Sequence, residues 1–115
     1  MTLLDKEPVK RVQKALKNYS HKLEVIELKT SARTAKEAAV SLECEVGAII
    51  KSLLFKSEKY FFMCLVAGDK RCSLNKLKKI TNCNDVSMAN PEDVKKQTGY
   101  TIGGVSPIGH QETFK

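Results

Sequence analysis

Two apolar runs lie close together near the middle of the chain, and they restrict its possible folds more than any other feature. They read AIIKSLLFK at 48–56 and YFFMCLV at 60–66, and only Ser-Glu-Lys separates them. This arrangement predicts a β-hairpin. Because both runs are almost continuously apolar, we expect two central strands that are covered on both faces.

The segments on either side of the hairpin carry shorter signals. Capping residues, helix-starting prolines and apolar spacing predict α-helices at 8–19, from Thr34 onward, at 74–80 and at 91–98. In the third helix, Leu74, Leu77 and Ile80 are expected to face inward. Alternation in HKLEVIELK predicts a strand at 21–29, and VSM predicts a short one at 86–88.

Length and composition bound the class of protein. With 115 residues, 42% of them hydrophobic, the chain is expected to form one domain, residues 1–115. The order of elements predicts an α/β (α+β) fold, with a mixed β-sheet surrounded by short helices. No apolar run reaches the about 20 residues of a membrane span, and no signal peptide is recognisable, so a cytoplasmic location without membrane contact is expected.

The cysteines and histidines give no metal pattern. Cys44, Cys64, Cys72 and Cys83 include no CxxC pair. We therefore expect reduced thiols, with Cys64 in the core, and neither a metal nor another cofactor. His21 and His110 have no evident nucleophile partner and are expected at the surface.

A net charge of +7 is compatible with simple solubility or with a polyanionic partner such as nucleic acid. Aromatic residues make up only 6% of the chain, so a platform for extended base stacking is not expected. If RNA binds, we expect contact with its backbone and a pocket for one end. The densest cationic cluster comprises Lys70, Arg71, Lys76, Lys78 and Lys79.

Lys51 interrupts the first apolar run. Strand alternation places it on the same face as Leu53 and Phe55, where an ammonium group needs water or an anion. Two interpretations stay open. Lys51 either protects a strand edge from aggregation or lies on a pocket wall, where it meets a phosphate or carbonyl oxygen.

A second candidate site is the uncharged loop Gly103-Gly104-Val105-Ser106-Pro107. Its glycines permit positive φ and close approach of the backbone to a ligand, while the proline fixes the far end. Backbone N–H groups in such a loop can hold an oxyanion. The loop matches neither the P-loop nor the dinucleotide-binding pattern.

Three segments together carry a family resemblance: TAKEAA before a strand, IIKSLLF, and TGYTIGGVSPIGH after an NPEDV helix. In this order and spacing, the chain resembles the YbaK/prolyl-tRNA-editing family from about Val9 to His110. That family includes free-standing Cys-tRNA(Pro) and Ala-tRNA(Pro) deacylases and the editing domain inserted in many bacterial prolyl-tRNA synthetases.

The resemblance implies an enzyme that hydrolyses mischarged aminoacyl-tRNA, in which Cys, Ala or Ser is carried on tRNA(Pro), without metal or covalent nucleophile. By resemblance, Lys51 is the pocket lysine that contacts the tRNA 3′ end, and Ser52 is the neighbouring position that helps to select the amino acid. Gly103 and Gly104 belong to the catalytic loop, and Val105, Ser106 and Pro107 complete its substrate-binding part. Aminoacyl-tRNA is the implied partner, with prolyl-tRNA synthetase a second one.

Members of the resembled family usually continue after this loop through further strands and a helix. The sequence given ends at Lys115, so we expect a domain without those elements. Three alternatives follow: an active deacylase, a catalytically inactive tRNA-binding module, or a truncated fragment of such a deacylase. An exposed sheet edge would also favour dimerisation, so monomer and dimer both stay open.

Overall fold

The computed structural model describes residues 3–28, 30, 32, 34–102 and 104–110. Within these residues the α-helices are α1 (Glu7–Tyr19), α2 (Ala35–Leu42), α3 (Leu74–Thr81) and α4 (Pro91–Thr98). The strands are β1 (Ile50–Ser57), β2 (Phe61–Ala67) and β3 (Val86–Met88), and short 3₁₀ turns occupy Leu3–Asp5 and Val46–Ala48. The α+β class predicted from the sequence is confirmed.

The described strands form one sheet in the order β2-β1-β3. The hairpin is confirmed, since β1 pairs with β2 along its length from Ile50 opposite Ala67 to Lys56 opposite Phe61. β3 pairs only with the last part of β1, residues 55–57. Both pairings are antiparallel, so the expected mixed sheet is wrong for the described strands.

Only β1 is central in the described sheet, which corrects the expectation that both hairpin strands are central. β2 lies at one edge. The apolar side chains of β2 differ in solvent exposure: Phe62 and Val66 are buried, whereas Leu65 is more than half exposed. Continuous apolarity in β2 therefore does not reflect cover on both faces.

Two apolar clusters pack against opposite faces of β1. On one face Phe55, only 1% exposed, stacks on Phe62 with ring centroids 5.6 Å apart, and Leu77 of α3 closes the cluster. Burial of each such side chain stabilises the fold by about 1.5–3 kcal/mol. On the other face Leu54 packs against Val94 of α4.

Local capping fixes the helix ends as the sequence predicts. Thr34 Oγ1 accepts a hydrogen bond from the Glu37 N–H at 3.1 Å, and Asn90 Oδ1 accepts one from Asp93 at 2.8 Å. Each such cap is worth about 1 kcal/mol. Gly99 ends α4 in the left-handed conformation with φ 80°. These caps hold α2 and α4 at the positions from which they cover the sheet.

The strand predicted at 21–29 is wrong over its described part, residues 21–28, which forms a turn and extended irregular backbone. The Val25 N–H donates to Gln13 Oε1 of α1 at 2.9 Å rather than to a neighbouring strand. Among the apolar positions of the alternation, Leu23 is exposed and Val25 and Leu28 are only half-buried, so no buried face forms. A side chain of α1 therefore supplies the hydrogen-bond acceptor that a neighbouring strand would have supplied.

The prediction for α3 is correct for Leu77, which is buried, and wrong for Leu74 and Ile80, which are exposed. A step of three residues turns an α-helix by 300°, so both outer residues lie about 60° to either side of Leu77. This short helix contacts the core through a narrow stripe, and Ile80 is 80% exposed as a result.

Arg11 of α1 ties the N-terminal helix to the segment after α4. Its Nη2 donates to the Gly99 carbonyl at 2.6 Å, and its guanidinium lies 4.6 Å from the centroid of the Tyr100 ring. Tyr100 is 2% exposed, and its hydroxyl donates to the Gly109 carbonyl at 2.8 Å. The His110 ring packs edge-on against Tyr100, so His110 is half-buried rather than at the surface as expected, while His21 is exposed.

We expect Arg11→Ala to lower the free energy of unfolding by about 2 kcal/mol, because it removes a charge-assisted hydrogen bond and a cation–π contact. Urea unfolding followed by circular dichroism measures the change. Lys14→Ala on the exposed side of the same helix serves as the matched control and should change stability by less than about 0.5 kcal/mol. Equal losses in the two variants would contradict the role of Arg11.

Cys64 and Cys72 bring their sulfur atoms to 3.5 Å from each other beside the first apolar cluster. Cys64 is half-buried there, in keeping with its predicted place in the core. Burial, together with the hydrogen bond and charge of Cys64, raises the pKa of the Cys72 thiol from 9.0 to about 11, and the Lys51 charge opposes this shift only in part.

A raised thiol pKa means that the folded protein keeps the Cys72 proton where the unfolded chain loses it. Cys72 should therefore stabilise the fold below pH 9.0, and this contribution should disappear as pH rises to about 11. Urea unfolding of wild type and Cys72→Ala across this window isolates the effect from lysine titration. The difference in unfolding free energy between them should shrink as pH rises; a constant difference would refute the linkage.

Candidate active site

A cavity of about 350 Å³ lies along the first half of β1. Its walls are largely apolar and come from five parts of the described chain: the start of α2, the strand itself, the end of β3, α4 and the loop after α4. The lining side chains most relevant here are Ala35, Ala38, Met88, Val94, Ile102 and Val105. Small alanines on α2 leave the space, since larger side chains there would fill it.

The open edge of β1 forms the floor of this cavity. The Ile49 carbonyl accepts from Gly68 on the β2 side, and the Leu54 carbonyl accepts from Ala89 on the β3 side. Because backbone groups alternate sides along a strand, the N–H and C=O of Ile50 and Ser52 face the same side as those of Leu54. β3 pairs only with residues 55–57, so among the described strands none covers Ile50 and Ser52 on that side.

Lys51 is half-buried and is among the residues that line the cavity, while its ammonium group reaches toward the loop after β2. Nζ donates to the Lys70 carbonyl, in the loop after β2, at 2.7 Å. An ammonium has three donors, so one contact leaves donors for an incoming anion. Ser52 lies next to it in the wall and adds a hydroxyl to a surface that is otherwise mainly apolar.

The predicted loop contributes unequally to the cavity. Val105 lines it and packs against the Leu54 cluster. The Gly104 N–H donates to the Thr101 carbonyl at 2.9 Å, which closes a tight turn. A Cβ at Gly104 would meet nothing closer than 3.7 Å, and the positive φ values of described glycines occur at Gly99 and Gly109 instead. Neither strain nor crowding therefore requires a glycine at 104.

Ser106 and Pro107 shape the loop behind the cavity wall. Ser106 Oγ accepts from the Ile108 N–H at 3.1 Å, and the Ser106 carbonyl accepts from His110 Nε2 at 2.6 Å. Pro107 is exposed, and neither residue is among the described ones that line the cavity. The candidate Gly103 lies outside the described residues.

The structure thus brings together Lys51, Ser52 and Val105 around one cavity. Sequence reasoning did not identify the open backbone edge at Ile50 and Ser52, because it depends on how far β3 extends. The sequence indicated the α2 wall only through the small residues of that helix, and it did not indicate what the helix covers. Among the described residues, no group of His, Cys, Asp or Glu side chains is placed to hold a metal ion. No described helix combines the length and apolarity needed to cross a membrane.

Comparison with known proteins finds relatives among proline–tRNA ligases. The chain is 35% identical over 79 residues to the proline–tRNA ligase of Fervidobacterium nodosum, which covers 69% of the chain and 14% of the ligase. It is 32% identical over 115 residues to that of Kosmotoga olearia, which covers the whole chain and 18% of the ligase. The chain therefore spans less than a fifth of the length of these two relatives.

A solved structure described as a candidate trans-editing enzyme for prolyl-tRNA synthetase has the same fold. It superposes with a TM-score of 0.88 at 42% identity, over 95% of this chain and 69% of that one. The model of the aminoacyl-tRNA editing domain matches residues 29–115. Because this match includes most of the chain, the protein belongs to the aminoacyl-tRNA editing domain family.

Proposed function

We propose that this protein hydrolyses the ester that joins a small amino acid, such as Cys, Ala or Ser, to a mischarged tRNA. The observation that carries the proposal is the cavity beside β1, whose mainly apolar lining includes Lys51 and Ser52. Its volume of about 350 Å³ is near the lower end of ligand pockets, about 300–1,000 Å³. We favour tRNA(Pro) as the carrier because the relatives are proline–tRNA ligases and a candidate trans-editing enzyme for prolyl-tRNA synthetase.

In the proposed reaction, water attacks the ester carbonyl carbon and the bond to the ribose oxygen breaks. The products are a free amino acid and a tRNA with a free ribose hydroxyl. The Lys51 ammonium would neutralise a phosphate of the 3′ end or the developing charge on the carbonyl oxygen. The backbone N–H groups of Ile50 and Ser52 face the open edge of β1 and are suitable donors to the same oxygen.

The loop after α4 would position the aminoacyl group. We propose that this loop and the rest of residues 1–115 form a single domain. We propose that Gly103 and Gly104 let the backbone approach the ester and that Val105 contacts the amino-acid side chain. Ser106 and Pro107 would act indirectly, because their described contacts hold the loop rather than line the cavity. Selection would then rest on size, since an apolar cavity excludes larger side chains more effectively than it distinguishes similar ones.

We expect the purified protein to release Cys, Ala or Ser from tRNA(Pro), and Lys51→Ala to lower kcat/KM for this release at least about 100-fold. The variant should stay folded, because the described partner of the Lys51 ammonium is one backbone carbonyl in the loop after β2. Lys56→Ala, an exposed lysine on the same strand, is the matched control and should retain activity.

Release of radiolabelled amino acid measures turnover, and circular dichroism measures folding. If folded wild-type protein releases none of the three amino acids, the proposal fails. If it nevertheless binds the tRNA, the inactive tRNA-binding module becomes the better account. Unfolding of Lys51→Ala would instead favour a structural role for Lys51.

Filling the α2 wall should shift selectivity toward the smallest substrate. Ala38→Leu places a larger side chain in the cavity, so kcat/KM for Cys-tRNA(Pro) should fall about tenfold or more relative to Ala-tRNA(Pro). Val40→Leu, on the exposed side of the same helix, should leave the ratio unchanged. An unchanged ratio in folded Ala38→Leu would mean that the amino acid does not occupy this cavity.

A further inference from the structure

A cationic surface adjoins the candidate site but is not part of the cavity. We call it the basic α3 surface, and it comprises Lys70, Arg71, Lys76, Lys78 and Lys79. The segment 70–83 that contains it has no acidic residue. Helix α4 differs, because its lysines follow Glu92 and Asp93 in the same helix. The basic α3 surface is therefore a local concentration of charge rather than the chain average.

The side chains of this surface are available to a partner. All are exposed except Lys78, which is half-buried. Helical geometry places Lys76 and Lys79 on the outer side of α3, with Leu77 on the side that contacts the core. Like charges three residues apart repel each other, and a lysine in the first turn opposes the helix dipole. Both effects destabilise this short helix in isolation, and a bound polyanion would relieve them.

Two acidic groups near the ends of the basic α3 surface, Glu58 and Asp69, are directed elsewhere. Glu58 accepts backbone hydrogen bonds from Asn84 at 2.7 Å and from Asp85 at 3.0 Å, which lower the pKa of its carboxyl. The Asp69 carboxylate lies against Gly47, where a Cβ would come within 3.0 Å of it. Neither of these described contacts joins an acid to a lysine of α3, so the positive charge of the helix is not paired off by them.

The basic α3 surface begins at a residue that contacts the cavity lining. Lys51 Nζ contacts the Lys70 carbonyl, so the first residue of the surface touches the lysine of the candidate site. Helix α3 contains no aromatic residue, which disfavours base stacking and favours contact with a sugar–phosphate backbone. Helix α3 packs on the Phe55 face of β1, whereas the cavity extends along the Leu54 face. An RNA strand on α3 would therefore have to pass Lys70 and Lys51 to reach the cavity with its end.

On the basis of the proposed function, we propose that the basic α3 surface binds the phosphate backbone of the tRNA whose 3′ end enters the cavity. Lys76 and Lys79 contact phosphates along the outer side of the helix, and Lys70 and Arg71 hold the strand where it approaches Lys51. This surface supplies affinity without reading bases, so its contribution depends strongly on salt.

The test measures binding of an uncharged tRNA(Pro) transcript at several salt concentrations by fluorescence anisotropy, using K76E/K79E. The slope of log affinity against log salt should decrease in magnitude by about two, one for each lost phosphate contact. K10E/K14E is the matched control, because it reverses two exposed lysines on α1 with the same change in net charge. K76Q/K79Q, which adds no negative charge, should show the same decrease in slope.

The readout separates this proposal from the proposed hydrolysis, because the transcript carries no ester. Loss of slope in both α3 variants but not in K10E/K14E supports the surface, whether or not the protein deacylates. Equal losses in the α1 and α3 variants, or no binding by wild type, overturns it. Deacylation by wild type with an unchanged KM in folded K76E/K79E also overturns the surface while leaving the hydrolysis intact.

Discussion

The short length of β3 determines where this fold can bind a ligand. A longer third strand would pair with the whole of β1 and close its edge, whereas a strand of residues 86–88 covers only residues 55–57. The polar backbone groups of Ile50 and Ser52 then remain directed toward a cavity with mainly apolar walls. An apolar wall beside backbone donors that none of the described strands pairs is a combination suited to a small polar ester. The candidate site thus arises from incomplete sheet pairing rather than from a cluster of reactive side chains.

Strand alternation lets β1 serve packing and function at the same time. Phe55 anchors one cluster and Leu54 the other, while Lys51, four residues before Phe55, extends to the Lys70 carbonyl. Because the two buried residues fix the position of the strand on both faces, Lys51 is presented from a rigid element. Its contact with the loop after β2 then joins the cavity to the cationic helix that follows.

Local signals made much of the fold predictable from the sequence, whereas the pairing of distant segments could not be predicted. The hairpin and the caps at Thr34 and Asn90 act over a few residues, so their chemistry is legible in the sequence. Whether 21–29 finds a partner strand depends on elements elsewhere, and there α1 took the hydrogen bond instead. At the site, Lys51 was conspicuous because a charge inside an apolar strand needs an explanation. The open edge beside it could not be predicted, because it depends on the extent and register of β3.

The contact of Arg11 with Tyr100 shows that the packed unit includes residues before the family match. The family match begins at residue 29, whereas Arg11 belongs to α1, which precedes it. The segment that matches the family model, residues 29–115, therefore packs against a helix that lies outside it. Arg11 of that helix contacts the Tyr100 ring and donates to the Gly99 carbonyl. The match to the family model is therefore shorter than the packed unit, although the relative from Kosmotoga olearia aligns with the whole chain. If the chain were divided at residue 29, the two pieces would carry complementary surfaces, and α1 would become a separate ligand for the Gly99–Tyr100 segment.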